Sequence, residues 1–239
     1  MSVRLVRRDD LTSSETDALF GLLRRHFEGI SRRRFALDLA EKQWVLIQEV
    51  DGVIQGFSTL LMYETVMPLI GRTTVVCSGD TVTAAGARGT SSLPRGWIAA
   101  VRELHRRHAG GRLLWLLLTS GFRTYRFLPV FYREFWPRHD RPTPGGIKET
   151  MDLMSAQRWG SSYLSDPGIV RFPEPQVLRS GPSDIRPGRL SDPHVAFFLE
   201  LNPGWRNGDE LVCLTEIAEG NLTDAGRRMW HEAGVGAAT

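Results

Sequence analysis

The chain has 239 residues, of which 41% are hydrophobic and 24% charged, a balance typical of a globular protein with a substantial core. Its formal net charge is only +3, and the two cysteines, Cys77 and Cys213, form neither a disulfide framework nor a metal-ligand spacing. The longest apolar run, residues 113–118, is too short to cross a bilayer, and the N-terminal MSVRLVRRDDLT lacks the apolar stretch of a secretory signal. The expectation is a cytoplasmic chain with reduced thiols, no metal and no membrane partner.

Thr12 and Glu15 have the spacing of a capping box, and Leu19, Leu22, Leu23, His26, Phe27 and Ile30 follow at helical spacing. A second helix is predicted over residues 31–41, with Phe35 and Leu39 on one face. Residues 44–50 are β-rich, Asp51 and Gly52 supply a tight turn, and residues 53–63 return as the partner strand. Gly56, inside that second strand, signals a bulge or a close backbone approach.

A β-branched strand over residues 73–82 enters a small-residue turn over 83–92, and a helix begins at about Pro94, capped by Ser91 or Ser92. Trp97, Ile98, Val101, Leu104 and His108 share one face of it. Such a strand, turn and helix aim several backbone N–H groups at one place, with the helix dipole behind them, which suits an anion. Residues 112–119 form a continuous apolar run, as expected of a strand covered on both faces. Residues 122–136 are predicted to be helical from about Leu128, with Pro129 in the first turn.

Beyond Pro137 the pattern changes. Residues 138–146 are a Pro/Gly-rich linker and 147–159 a helix, while five prolines within 165–189 predict an extended segment. A short helix over 193–201, a strand over 211–217 and a last helix over 223–231 complete the chain. Phe197, Phe198, Trp205 and Trp230 make this part too apolar for a disordered tail. The division expected is a domain over residues 1–160 and an ordered extension over 161–239. That extension either packs on the core and walls a pocket or serves as an oligomer arm, in a monomer or homodimer.

All basic residues except Lys42 and Lys148 are arginines. They cluster at Arg24, Arg25 and Arg32 to Arg34, at Arg102, Arg106 and Arg107, and at Arg123, Arg126, Arg133, Arg138 and Arg141. A solvated surface is the plain account, and phosphate recognition by planar guanidinium groups the sharper one.

This order of elements resembles the GNAT superfamily of N-acetyltransferases. The hairpin over residues 44–63 looks like that family's second and third strands. Residues 80–89, ending in Arg88 and Gly89, look like its fourth strand and phosphate loop, usually V-x-P-x-x-R-G-x-G. Residues 131–136, beginning Phe131-Tyr132, look like the segment after its fifth strand. Thr90, Ser91 and Ser92 stand where the family places x-G-x. The resemblance implies an α/β fold with a mixed, mostly antiparallel sheet, a splayed parallel strand pair and helices on both faces.

It also implies an acyltransferase that moves an acyl group from acyl-CoA to a small-molecule amine by direct attack. Val82, Arg88, Gly89, Thr90, Ser91 and Ser92 would hold the donor. Tyr132 matches the family tyrosine that protonates the leaving thiolate, and Tyr125 stands in reserve. Asp80 and Glu64 are candidate bases near strand ends. The altered loop and the arginine clusters leave two other readings open, a macromolecular donor (aminoacyl-tRNA or acyl carrier protein) and a noncatalytic GNAT-like binding module.

Overall fold

The ends of the first helices are set by side chains that satisfy their free backbone N–H groups. The computed structural model describes residues 2–84, 87, 92–107, 111–181, 185, 187–232 and 236–237. β1 (Ser2–Arg7) leads to α1 (Ser13–His26). The Thr12 hydroxyl accepts from the Glu15 N–H at 3.1 Å, and the Glu15 carboxylate accepts from the Thr12 N–H at 2.8 Å, so the capping box is formed. β2 (Phe27–Glu28) follows, and Ser31 caps α2 (Arg32–Ala40) by accepting from the Arg34 N–H at 3.1 Å.

β3 (Trp44–Val50) and β4 (Val53–Met67) form the expected hairpin, and both turn residues are left-handed, Asp51 at φ 51° and Gly52 at φ 75°. That is the turn whose twist matches the flanking strands. The register slips between Gln48 and Glu49, opposite Gly56. A Cβ on Gly56 would lie 2.6 Å from the Gln48 side-chain oxygen and 3.1 Å from the Val82 carbonyl, so a larger residue there would have to displace the Gln48 side chain and press on the strand that carries Val82.

β5 (Gly71–Thr83) pairs with β4 from Gly56 to Met67 except for a second slip, where Gly79 and Asp80 together face Thr59 and form a bulge. α3 (Ser92–Arg107) then crosses to β6 (Arg112–Thr119), which runs parallel to β5. Pairing of this parallel couple extends from Thr73 and Arg112 to Ser78 and Leu117 and ends there. Both strands continue past that point, and beyond it they diverge.

The segment after β6 departs from expectation. The chain turns helical at once, as α4 (Phe122–Tyr125) and α5 (Phe127–Phe131), and helix stops at Tyr132, whose backbone is extended at φ −122° and ψ 142°. Phe135 and Trp136 form β7 (Phe135–Trp136) instead of a helical turn. Two causes act together. Pro137 disfavours helix at the residue before it, and both aromatic rings are buried where β7 meets a strand from later in the chain.

α6 (Gly145–Trp159), β8 (Tyr163–Leu164), β9 (Ile169–Val170) and β10 (Val177–Leu178) come next. α7 (Pro193–Leu201) is capped by Asp192, and β11 (Glu210–Glu216), α8 (Asp224–His231) and the short β12 (Gly236–Ala237) close the chain. The large sheet runs β12-β1-β3-β4-β5-β6-β11-β9-β8, with β7 also on β11, while β10 pairs with β2. Among the described strands, only β5–β6 and β1–β12 are parallel. This is a mixed, mostly antiparallel α/β sheet with helices on both sides.

Strand alternation sorts the core into two layers. Val76, Trp115, Leu117 and Cys213 face α3, α5, α7 and α8. Val75, Cys77, Leu116 and Val212 face α6, and further along the same side Ile47, Phe57 and Val82 pack under α1 and α2. β11 brings residues from late in the chain against β6, from Leu211 opposite Thr119 to Glu216 opposite Leu114.

Candidate active site

Where β5 and β6 part, the backbone of β5 is exposed on one side. The Ala84 N–H donates to the Gln55 carbonyl at 2.7 Å, which makes Gln55 and Ala84 a hydrogen-bonded antiparallel pair. Alternation then makes Phe57 and Val82 another such pair, and turns the N–H and C=O groups of Thr81 and Thr83 away from β4, toward the wedge. The Thr83 carbonyl bears this out, since it lies 2.9 Å from His26 Nε2, off the ladder. The Val82 amide, expected among the groups that hold the donor, is directed into β4, whereas Thr81 and Thr83 present theirs to the wedge.

A cleft of about 1060 Å³ occupies this wedge and runs through the sheet. Trp97, Trp115 and Phe127 line it on one face, and Cys77, Leu118 and Phe172 on the other. The first turn of α3 reaches it through Leu93 and Pro94, so the positive end of that helix dipole is directed at the cleft. The apolar walls on the first face are tightly built, with the Trp97 and Trp115 rings 4.6 Å apart.

Asp38, Glu41, Asp80, Glu174 and Glu210 line the cleft, and two of these acids are raised well above the usual carboxylate range. Asp80 stands on the β5 bulge, and Glu210 opens β11, which lies beside β6. Burial pushes Asp80 up to about 6, the Asp38 charge adds to this, and Lys42 and a Gln176 hydrogen bond oppose it. Burial likewise pushes Glu210 up to about 7, with the Asp80 and Asp38 charges adding and a Ser120 hydrogen bond opposing. Two neighbouring acids that titrate near neutrality can hold an ammonium group and take a proton from it. Burial raises the Cys77 thiol to about 11, so it remains a protonated thiol near neutrality.

The other residues singled out from sequence fall elsewhere. Glu64 is exposed, pairs with Arg72 at 3.1 Å, and lies opposite Thr74, roughly 20 Å along β5 from Asp80. Tyr132 is 1% exposed and sits behind the cleft wall, with the Trp115 ring 5.9 Å away. Its hydroxyl faces the Trp97 N–H outside good hydrogen-bond geometry, and burial holds it well above the usual phenol range. Tyr125 is 0% exposed and donates to the Pro137 carbonyl at 3.0 Å. Ser92 begins α3 and accepts from the Gln48 side-chain amide. Arg88, Gly89, Thr90 and Ser91 lie outside the described residues.

Sequence reasoning missed Glu210, Ser120 and Lys42. The available signal was an acid immediately before the apolar strand 211–217, a position where the strand end is still within reach of buried backbone. The arginine clusters are largely neutralised by their own surface: Arg34 pairs with Asp38, Arg106 and Arg107 with Glu103, Arg126 with Asp192, and Arg138 with Asp140. Among the described residues, no three His, Cys, Asp or Glu side chains come together to hold a metal ion, and no helix is long and apolar enough to cross a membrane.

No protein-family model and no curated protein matches the chain. Solved structures do resemble it. An acyl-CoA N-acyltransferase from Pseudomonas aeruginosa aligns at 20% identity and TM-score 0.35, over 48% of this chain and 77% of its own. A GNAT-family N-acetyltransferase from Escherichia coli, solved with CoA, aligns at 18% and 0.39, over 53% and 68%. A probable N-acyltransferase from Enterococcus faecalis aligns at 15% and 0.43, over 90% of this chain and 66% of its own. The strand order around the hairpin, the single long parallel pair and its splay beside the start of α3 are the mixed α/β architecture that the motif resemblance implies.

Proposed function

We propose that the chain is an N-acyltransferase that moves an acyl group from acyl-CoA to an amine by direct attack within the β5–β6 wedge. The observation that carries this reading is the meeting of three features in one cleft: the diverging strand edges, the first turn of α3, and the Asp80–Glu210 pair. In this reading Asp80 holds the acceptor ammonium and the Glu210 carboxylate takes its proton, freeing the nitrogen lone pair. The wedge-facing N–H of Thr81 points to where charge gathers on the carbonyl oxygen as the new C–N bond forms. When the C–S bond breaks, the leaving thiolate takes the second amine proton, so no external acid is consumed.

The test is equilibrium binding of CoA followed by turnover of acetyl-CoA and longer acyl-CoA esters over a mixed panel of primary amines, scored by free thiol release. Amine-dependent thiol release supports the proposal; CoA binding absent at millimolar concentration, with no release on any amine, refutes it. Tyr132→Phe is expected to keep turnover within about twofold, because a phenol sealed behind Trp97 and Trp115 reaches neither substrate. Its stability should change by less than about 1 kcal/mol, since the lost O–H had no well-placed partner. A drop of a hundredfold or more in kcat would restore Tyr132 as the proton donor.

A further inference from the structure

The proposal concerns the acceptor and rests on the reading just given. On the face of the sheet that carries α2 and α6, the cleft is lined by charged side chains. Four of these pair with each other. Arg34 Nε bonds both Asp38 oxygens, at 3.2 and 3.1 Å, and Arg158 bonds Glu41. Outside those two pairs, Asp80, Glu210, Glu174 and the lysine Lys42 are among the charged residues that line the cleft.

Lys42 is unusual for a lysine. Its side chain is 11% exposed, and its closest carboxylate oxygen among the described residues is Glu41 Oε2 at 3.9 Å, an oxygen already bonded by Arg158. An ammonium withdrawn this far from water, with no closer carboxylate among the described residues, gives up hydration that its described surroundings do not restore. The β5 bulge holds it in position. A Cβ on Gly79 would come within 2.7 Å of Lys42 Cε and 3.5 Å of Nζ, so the missing side chain at Gly79 makes room for the lysine directly beside Asp80.

We infer that the acceptor is an amino acid or a similarly small amine bearing a carboxylate, and that Lys42 binds that carboxylate while Asp80 and Glu210 receive the amine. The juxtaposition sets the ligand's chemistry. An anion site at Lys42, which lies against Gly79, and an ammonium site at the adjoining Asp80 match a small molecule with both charges close together. A diamine would bring a second cation against Lys42, and a plain alkylamine would leave it unpaired.

The experiment compares three acceptor series with wild-type protein and saturating acyl-CoA: amino acids, their α-amides, and the corresponding amines without the carboxyl group. Carboxylate-bearing acceptors are expected to exceed their amides in kcat/KM by roughly 10- to 100-fold, the range of a charge-assisted bond. Lys42→Met should erase that preference through acceptor KM, with kcat and the KM for acyl-CoA changed by less than about threefold, and Lys42→Arg should retain part of it. Amides or diamines acylated as well as amino acids would overturn the inference while leaving acyl transfer intact. So would a Lys42→Met effect confined to the KM for acyl-CoA, which would reassign the lysine to a donor phosphate. Absence of acyl transfer to every amine, by contrast, defeats the underlying function and this inference with it.

Discussion

Glu210→Gln is expected to lower kcat/KM for amine acylation by roughly 10²- to 10⁴-fold, the usual contribution of a positioned general base. Glutamine keeps the shape and the Ser120 contact but cannot take a proton. The wild-type rate should fall as pH drops through about 7, because the group must be ionised to act and burial raises it to that value. This limb should vanish in Glu210→Gln. Asp80→Asn removes a like charge that helps raise Glu210, so the limb should move to lower pH. The two acids interact, and the observed midpoints belong to the pair. Stability serves as the control, and its sign is opposite. A carboxyl whose folded value is raised costs stability wherever it is ionised, above about pH 7, and costs nothing below about pH 4, where both states are protonated. Glu210→Gln should therefore raise stability at pH 8 by on the order of 1 kcal/mol, with the gain fading toward pH 4. An inactive variant that is also less stable at pH 8 would indicate misfolding; a stable variant within threefold of wild-type activity would remove Glu210 from the chemistry.

Trp115→Ala is expected to cost about 3 kcal/mol of folding free energy, toward the lower end of the usual ~3–5 kcal/mol for deleting a buried aromatic. The ring is 4% exposed and meets Trp97, Phe127 and Tyr132 at centroid separations of 4.6, 5.5 and 5.9 Å. Its N–H donates to Ser78 Oγ at 3.0 Å, across the last paired residue of β5 before the splay. One side of the ring borders the cleft, where water can enter, so part of the void left by alanine would hydrate and the cost would stay below that of a sealed cavity. Trp115→Phe separates the two contributions. It retains an aromatic wall and loses the N–H bond, for about 1 kcal/mol. Urea denaturation with unchanged m-values measures both, and a Trp115→Ala cost under about 1.5 kcal/mol would show that the wall is not a structural core.

Residues that organise their own neighbourhood were readable. The Thr12 and Glu15 side chains satisfy each other within one helical turn, and Asp51 and Gly52 set a turn whose twist dictates the hairpin. The 112–119 run has no polar side that could face water, so it had to be a covered strand. Asp80 was singled out as a carboxylate near the end of the β-branched strand that leads into the loop. Glu64 carried the same local signal, a carboxylate on a long strand, and lies at the far end of that strand. Nothing within a few residues of either acid distinguishes the two ends.

The segment around Tyr132 shows a different limit. Phe131, Tyr132 and Phe135 suit a helix face as well as a buried strand, and intrinsic preference does not separate the two. What decided between them was β11, about eighty residues later, which offers Leu214 and Thr215 as partners to Trp136 and Phe135. With the helix ended at Phe131, the tyrosine falls behind the Trp97 and Trp115 wall. Glu210 reaches the cleft for the same reason, since β11 lies against β6 and carries its first residue to the open end of the parallel pair.

By itself, the sequence determined where the capped first helices, the Asp51-Gly52 turn and the covered strand 112–119 lie, because caps, turn residues and apolar periodicity act over a few residues. It also determined that a strand, a small-residue turn and a helix follow in the order that builds a wedge. Only the tertiary structure decided which side chains face that wedge. Which of them do so depends on strand pairings between distant parts of the chain, and on a bulge that makes room for one lysine beside one aspartate; these are set by competition among all available edges and no local pattern records the outcome.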